Sequence, residues 1–79
     1  MPFYFFTWTP KNIGHLAEHD VTPDGFEEVV SNPDYEDVSR SSGNPIAFGS
    51  TSEGRFLACV FRRLDRDTIE PVTAYDVDE

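Results

Sequence analysis

The spacing of the apolar residues changes at Tyr35, and this change constrains the fold more than any other feature of the sequence. Before Tyr35 the apolar residues recur at every third or fourth position, as on the buried face of a helix. After Tyr35 they alternate with polar residues, which is typical of strands with one buried face. The sequence therefore predicts an α+β fold: an N-terminal strand, two short helices and then a four-stranded antiparallel meander, with residues 1–79 forming a single domain. These four strands are expected near 35–40, 45–51, 55–64 and 68–77, with the most apolar one, 55–64, at the centre of the sheet.

A Thr-Pro pair precedes each predicted helix. Threonine caps the first turn with its hydroxyl, and proline fits the first helical position because its missing N–H would be unsatisfied there anyway. We therefore expect helices from Pro10 to about His19 and from Pro23 to about Ser31. The aromatic run 3–8 before them is expected to be a strand buried on part of both faces. The side chains predicted to pack on one face of the sheet are Ile13, Leu16, Ala17, Phe26, Val29 and Val30.

Fifteen acidic and six basic side chains give the chain a net charge of -9. This charge repels polyanions and argues against a general nucleic-acid binder. All five arginines lie within residues 40–79. They either converge on a local basic patch or pair with neighbouring acids on solvated strands.

The single cysteine, Cys59, lies in the apolar run 56–61, so we expect a buried side chain without a disulfide. No stretch has the length and apolar character of a membrane span, and the N-terminus lacks the basic flank of a signal peptide. These features predict a cytoplasmic protein that does not contact a membrane.

The candidate chemistry lies in the first helix, where Lys11, His15 and His19 recur every four residues and Asn12 precedes His15 by three. All four side chains are expected on roughly one side of that helix. Two histidines at this spacing can chelate a metal, but the spacing identifies no complete set of ligands, so no metal or cofactor is predicted. The alternative roles are structural: His19 bonds the last helical carbonyls, and His15 packs at the junction of helix and sheet. Without a nucleophile motif, a phosphate-binding glycine loop or paired cysteines, the remaining chemistry is acid–base work by His, Lys and Arg, which suits metal-independent RNA cleavage.

The order Trp8-x3-Asn12-x2-His15-x3-His19, followed by Val21-Thr22-Pro23 and the acidic-apolar segment 26–29, resembles the opening of the BrnT family of toxins. The later segments 46–61 and 68–74 are similar to the consecutive strands of that family. The resemblance implies a RelE-like ribonuclease fold, toxicity through RNA cleavage, and neutralisation by a small DNA-binding antitoxin. Together with the helix pattern, it predicts His15, His19, Lys11 and Arg55 as catalytic residues and Asn12, Arg40 and Arg62 as binding residues.

The sequence departs from the family at two places. Asp20 stands where the family has glycine. Family members continue from the last strand with an Ala-Arg pair and a basic helix, whereas Ala74 is followed here by Tyr75 and the acidic segment 76–79. We therefore expect RNA to bind weakly or not at all, and a basic antitoxin-like protein to be the better partner. Two functions follow as hypotheses: a BrnT-like ribonuclease with weak or lost activity, or a non-catalytic module that binds a basic partner. The sequence leaves the oligomeric state open.

Overall fold

A computed structural model describes residues 4–77 of the chain. Its elements are β1 (Phe5–Phe6), α1 (Pro10–Ala17), α2 (Pro23–Ser31), β2 (Tyr35–Val38), β3 (Pro45–Ser50), β4 (Phe56–Arg63) and β5 (Thr68–Asp76). The strands form a five-stranded sheet in the order β1-β5-β4-β3-β2. The α+β class, the two helices and the central position of the most apolar strand, β4, are confirmed. The strands from β2 to β5 pair antiparallel, whereas β1 joins β5 in parallel, so the sheet is mixed rather than antiparallel throughout.

Both Thr-Pro pairs begin helices, as predicted. The Thr22 hydroxyl accepts a hydrogen bond from the Gly25 N–H at 3.1 Å, which caps α2. In α1, by contrast, the helix ends at Ala17 and not at His19. The reason is a left-handed turn at Asp20, whose φ is 60°, which lets the Val21 N–H bond the Leu16 carbonyl at 2.9 Å. Aspartate tolerates this conformation better than most residues, so it can replace glycine here.

The hydrophobic core lies between the two helices and one face of the sheet. Four of the six predicted helix residues are buried in it: Leu16, Phe26, Val29 and Val30. The prediction was wrong for Ile13, which is 40% exposed, and for Ala17, which is exposed. The reason is that α1 packs against β5 near the side of the sheet, where a narrow stripe of Asn12 and Leu16 meets the core.

The N-terminal strand is shorter than the predicted 3–8, and Phe3 lies outside the described residues. Its burial on both faces was also wrong, because β1 is an edge strand and Phe5 is 60% exposed. Thr7 still bonds the Ile69 carbonyl through its N–H, and two residues later Thr9 caps α1. The rings of Phe6 and Trp8 then pack edge-on against Phe26, with centroids 6.3 and 5.6 Å from it.

The side chains of β4 alternate between the two faces of the sheet. Leu57, Cys59 and Phe61 point into the core beneath the helices, whereas Ala58 and Val60 are buried outside that cluster on the opposite face. Burial of Cys59 is confirmed, and it raises the pKa of the thiol to about 12. In the described part of the chain, neither helix has the length and apolar character needed to cross a membrane.

Candidate functional site

A shallow cavity of about 290 Å³ lies where α1 meets the side of the sheet. It brings together four of the seven predicted site residues: Lys11, Asn12, His15 and Arg62. Its other lining residues are Thr9, Asn44, Glu70, Pro71 and Val72. We call this cavity the α1–sheet cleft.

Asn12 holds α1 in place rather than offering its side chain to a ligand. Its Oδ1 accepts a hydrogen bond from the Thr9 N–H at 2.8 Å, and its Nδ2 donates to the Thr7 carbonyl at 2.8 Å. The side chain is 6% exposed and has its hydrogen bonds inside the protein. Because Thr7 in turn donates to the Ile69 carbonyl, Asn12 fixes the start of α1 against β5. That anchoring positions Lys11 and His15 along the cleft.

The second wall of the cleft carries an ion pair between neighbouring strands. Arg62 of β4 lies opposite Glu70 of β5, and the two side chains are joined by a 3.1 Å contact. The next residue, Arg63, points to the other face of the sheet, with its guanidinium 5.5 Å from the centre of the Tyr4 ring. Arg62 and Arg63 therefore lie on opposite faces of the sheet, as strand alternation requires, and Arg62 alone of this pair lines the cleft.

The charge around the cleft differs from that of the chain as a whole. Two cations and one carboxylate line it, with His15 as a titratable group. A second cavity, of about 470 Å³ beside the start of α2, is more acidic; its acidic lining residues are Asp20, Asp24, Glu28 and Glu53. A phosphate at the α1–sheet cleft therefore meets a local excess of positive charge despite the overall charge of -9.

Arg55 and His19, both predicted as catalytic, lie outside the lining of this cleft. The Arg55 guanidinium donates to the carbonyls of His19 and Asp20 and forms a two-pronged pair with Asp76, at 3.1 and 2.9 Å. It thereby ties the end of α1 to the end of β5. The hydrogen bond between the side chains raises the pKa of Arg55 and lowers that of Asp76. The His19 ring lies 6.4 Å from that of Tyr75. The carbonyls of Leu16 and Ala17 at the end of α1 accept hydrogen bonds from the backbone N–H groups of His19, Asp20 and Val21, and not from the His19 side chain as the structural alternative proposed.

Replacing Asp76 with asparagine is expected to remove part of the acid sensitivity of folding. Arg55 holds the pKa of the Asp76 carboxyl below its usual range in the folded state. Such a carboxyl group stabilises the fold above its unfolded pKa of about 3.9, and this contribution is lost as the pH falls through the lower, folded pKa. Urea unfolding measured from about pH 6 to about pH 2 should therefore show a smaller loss of stability for Asp76→Asn than for the parent. Asp34→Asn, at an exposed carboxylate outside both ion pairs of the described residues, is the control; parallel profiles for the parent and Asp76→Asn would contradict the prediction.

Arg40 lies in the exposed turn between β2 and β3, away from the lining of the cleft. Glu70 is the cleft residue that sequence reasoning missed. The signal was present, because Arg62 and Glu70 are each four residues from Arg66 in the β4–β5 turn, and an antiparallel hairpin centred there places them opposite each other. Within residues 4–77, no group of three His, Cys, Asp or Glu side chains is arranged to hold a metal ion.

The chain matches no protein-family model, and no curated protein or solved structure is similar enough to it to show a relationship. The likeness to BrnT therefore rests on the residues themselves.

Proposed function

We propose that the chain is a BrnT-like toxin with a RelE-like fold and a weak, metal-independent endoribonuclease activity. The observation that carries the proposal is that Lys11, His15 and Arg62 line one cleft. These three residues come from two distant parts of the sequence, and they provide a titratable base and two cations at one place. The resemblance of the helix-one motif to BrnT supports the same reaction and the same cytoplasmic setting.

The proposed reaction is an attack of the RNA 2′-hydroxyl on its neighbouring phosphorus. Neutral His15 takes the proton of the 2′-hydroxyl, the new oxygen–phosphorus bond forms, and the bond from phosphorus to the 5′-oxygen breaks. Arg62 and Lys11 stabilise the negative charge of the transition state, and Lys11 gives the departing oxygen its proton. The products are a 2′,3′-cyclic phosphate and a 5′-hydroxyl, and the proton on His15 is returned to Lys11 through solvent.

The structure supports a specific role for Glu70 in this scheme. Its carboxylate pairs with Arg62 at 3.1 Å and holds the guanidinium beside the cleft. The pair is partly solvated, with 59% of the Arg62 side chain and 38% of the Glu70 side chain exposed. Arg62 therefore keeps donors available to a phosphate, while Glu70 reduces the positive charge of the cleft. Because two cations neutralise few phosphates, affinity for RNA should be low.

Removing Arg62 is expected to lower kcat/KM for RNA cleavage by about tenfold to a hundredfold, because one positioned donor to the transition state is lost. The measurement is cleavage of single-stranded and structured RNA at low salt, with the cyclic phosphate product identified and a chelator present in a parallel reaction. Arg66→Ala removes the same charge from the exposed β4–β5 turn, outside the cleft lining, and is the matched control. An equal loss of kcat/KM in both variants would show that the loss arises from long-range electrostatics and not from the cleft. A parent protein that leaves RNA intact would refute the proposal.

A further inference from the structure

The face of the sheet opposite the helices carries a patch of aromatic side chains. The register places Tyr35, Phe48, Ala58 and Tyr75 in one row across β2, β3, β4 and β5. The Tyr35 ring stacks on Phe48 with centroids 4.6 Å apart, and Phe56 lies 6.3 Å from Tyr35. We call Tyr35, Phe48 and Phe56 the aromatic patch.

In the described part of the chain, this face is not covered by a helix. The core cluster that α1 and α2 contact is formed by side chains of the other face, and it includes none of the aromatic patch. Tyr35 is 54% exposed, and Phe48 and Phe56 are half-buried. Contiguous exposed apolar surface of this kind, edged by polar residues, is characteristic of a protein–protein contact.

The charges beside the patch determine which partner fits it. Asp34 directly precedes Tyr35, and Asp37 follows it by two residues on the same face of β2; both are exposed. The two ion pairs of the described residues lie elsewhere, at Arg55–Asp76 and Arg62–Glu70, so this acidic rim is not neutralised by an ion pair within residues 4–77. A second copy of the chain would bring the same rim and a charge of -9, and RNA would bring phosphates, so both are repelled. A protein segment with apolar and cationic side chains matches both the patch and its rim.

We propose that the aromatic patch is the docking surface for a partner-protein segment whose apolar side chains pack on Tyr35, Phe48 and Phe56 and whose lysine or arginine pairs with Asp37. Asp37 is paired with Ile46 in the register, and strand alternation places its side chain on the same face as Tyr35. The patch lies on β2, β3 and the first residue of β4, whereas the α1–sheet cleft is lined by α1, β5 and Arg62 near the other end of β4. Docking at the patch is therefore independent of whether the cleft cleaves RNA.

The probe is a fluorescent twelve-residue peptide that alternates leucine and lysine, with a serine–lysine peptide and a leucine–glutamate peptide as controls. Anisotropy titrations should show binding of the leucine–lysine peptide alone. Tyr35→Ser should weaken it by about tenfold or more, because an exposed aromatic anchor is removed. Val38→Ser is the matched control, since Val38 is 58% exposed on the same strand but points to the other face. The affinity of this variant for the leucine–lysine peptide should stay within about twofold of that of the parent. Asp37→Asn should weaken binding less than Tyr35→Ser, and most at low salt.

Several outcomes would overturn the docking proposal. If the serine–lysine peptide bound equally well, binding would be explained by non-specific electrostatic attraction. If Tyr35→Ser bound the leucine–lysine peptide as tightly as the parent, the aromatic patch would not be the binding surface. Sedimentation that shows a dimer in the parent and a monomer in Tyr35→Ser would identify a second copy as the occupant. Binding of an oligouridine that is lost in Tyr35→Ser would make the patch an RNA surface. Circular dichroism of each variant checks that the fold is retained, and RNA cleavage by the Tyr35→Ser variant should equal that of the parent.

Discussion

His15→Ala is expected to lower the rate of RNA cleavage by about 10²–10⁴-fold, the range typical of a positioned acid–base group. His15 is exposed on α1 and lines the cleft beside Arg62, so its imidazole can reach a phosphodiester without any rearrangement of the core. Single-turnover cleavage of a labelled RNA gives the rate of the chemical step directly. Because alanine suits a helix at least as well as histidine, the variant should fold like the parent.

His19→Ala provides the comparison for this effect. His19 lies beyond the end of α1, with its ring beside Tyr75, and it does not line the cleft. We therefore expect a smaller loss from His19→Ala than from His15→Ala. Added imidazole should restore part of the activity of His15→Ala, since a small base can enter a solvent-open cleft. Equal rates for His15→Ala and the parent would exclude His15 as the base.

The features of the fold that depend on neighbouring residues could be predicted from the sequence. Both helix starts follow from a threonine hydroxyl and a proline within the first turn, and the buried face of α2 follows from its three-and-four spacing. The parallel pairing of β1 could not be predicted in this way. Phe5 pairs with Thr68, which is 63 residues later in the chain. A strand of two residues is too short for its sequence pattern to predict which strand it pairs with.

The candidate site was predicted in part for a related reason. The four-residue spacing placed Lys11 and His15 on one side of α1, and the structure adds Arg62 from β4 to the same cleft. The motif did not separate residues that face a ligand from residues that hold the fold. Asn12 and Arg55 belong to the second kind, because their partners include the backbone carbonyls of Thr7, His19 and Asp20. A sequence pattern indicates where side chains lie, but it does not indicate which backbone carbonyls still need a hydrogen-bond donor.

Leu16→Ala and Ile13→Ala are expected to differ strongly in their cost, although the sequence pattern placed both residues in the core. Leu16 is fully buried on the side of α1 that faces the core, so its truncation should lower the free energy of unfolding by about 2–5 kcal/mol. Ile13 is 40% exposed, so the same kind of truncation should cost less than about 1.5 kcal/mol. Urea unfolding at neutral pH measures both values, and unchanged m-values would show that the unfolded state is comparable in the two variants.

The same pair of variants also tests the orientation of the candidate site, because one short helix carries both the core residue and the cleft residues. With Asn12 and Leu16 facing the core, Lys11 and His15 lie along the cleft. If Ile13→Ala cost as much as Leu16→Ala, α1 would have to be rotated about its axis so that Ile13 entered the core. Successive residues are about 100° apart around a helix, so that rotation would also move Lys11 and His15 relative to Arg62. A small cost for Ile13→Ala and a large cost for Leu16→Ala would therefore support the arrangement on which the proposed chemistry depends, from a measurement that uses no RNA.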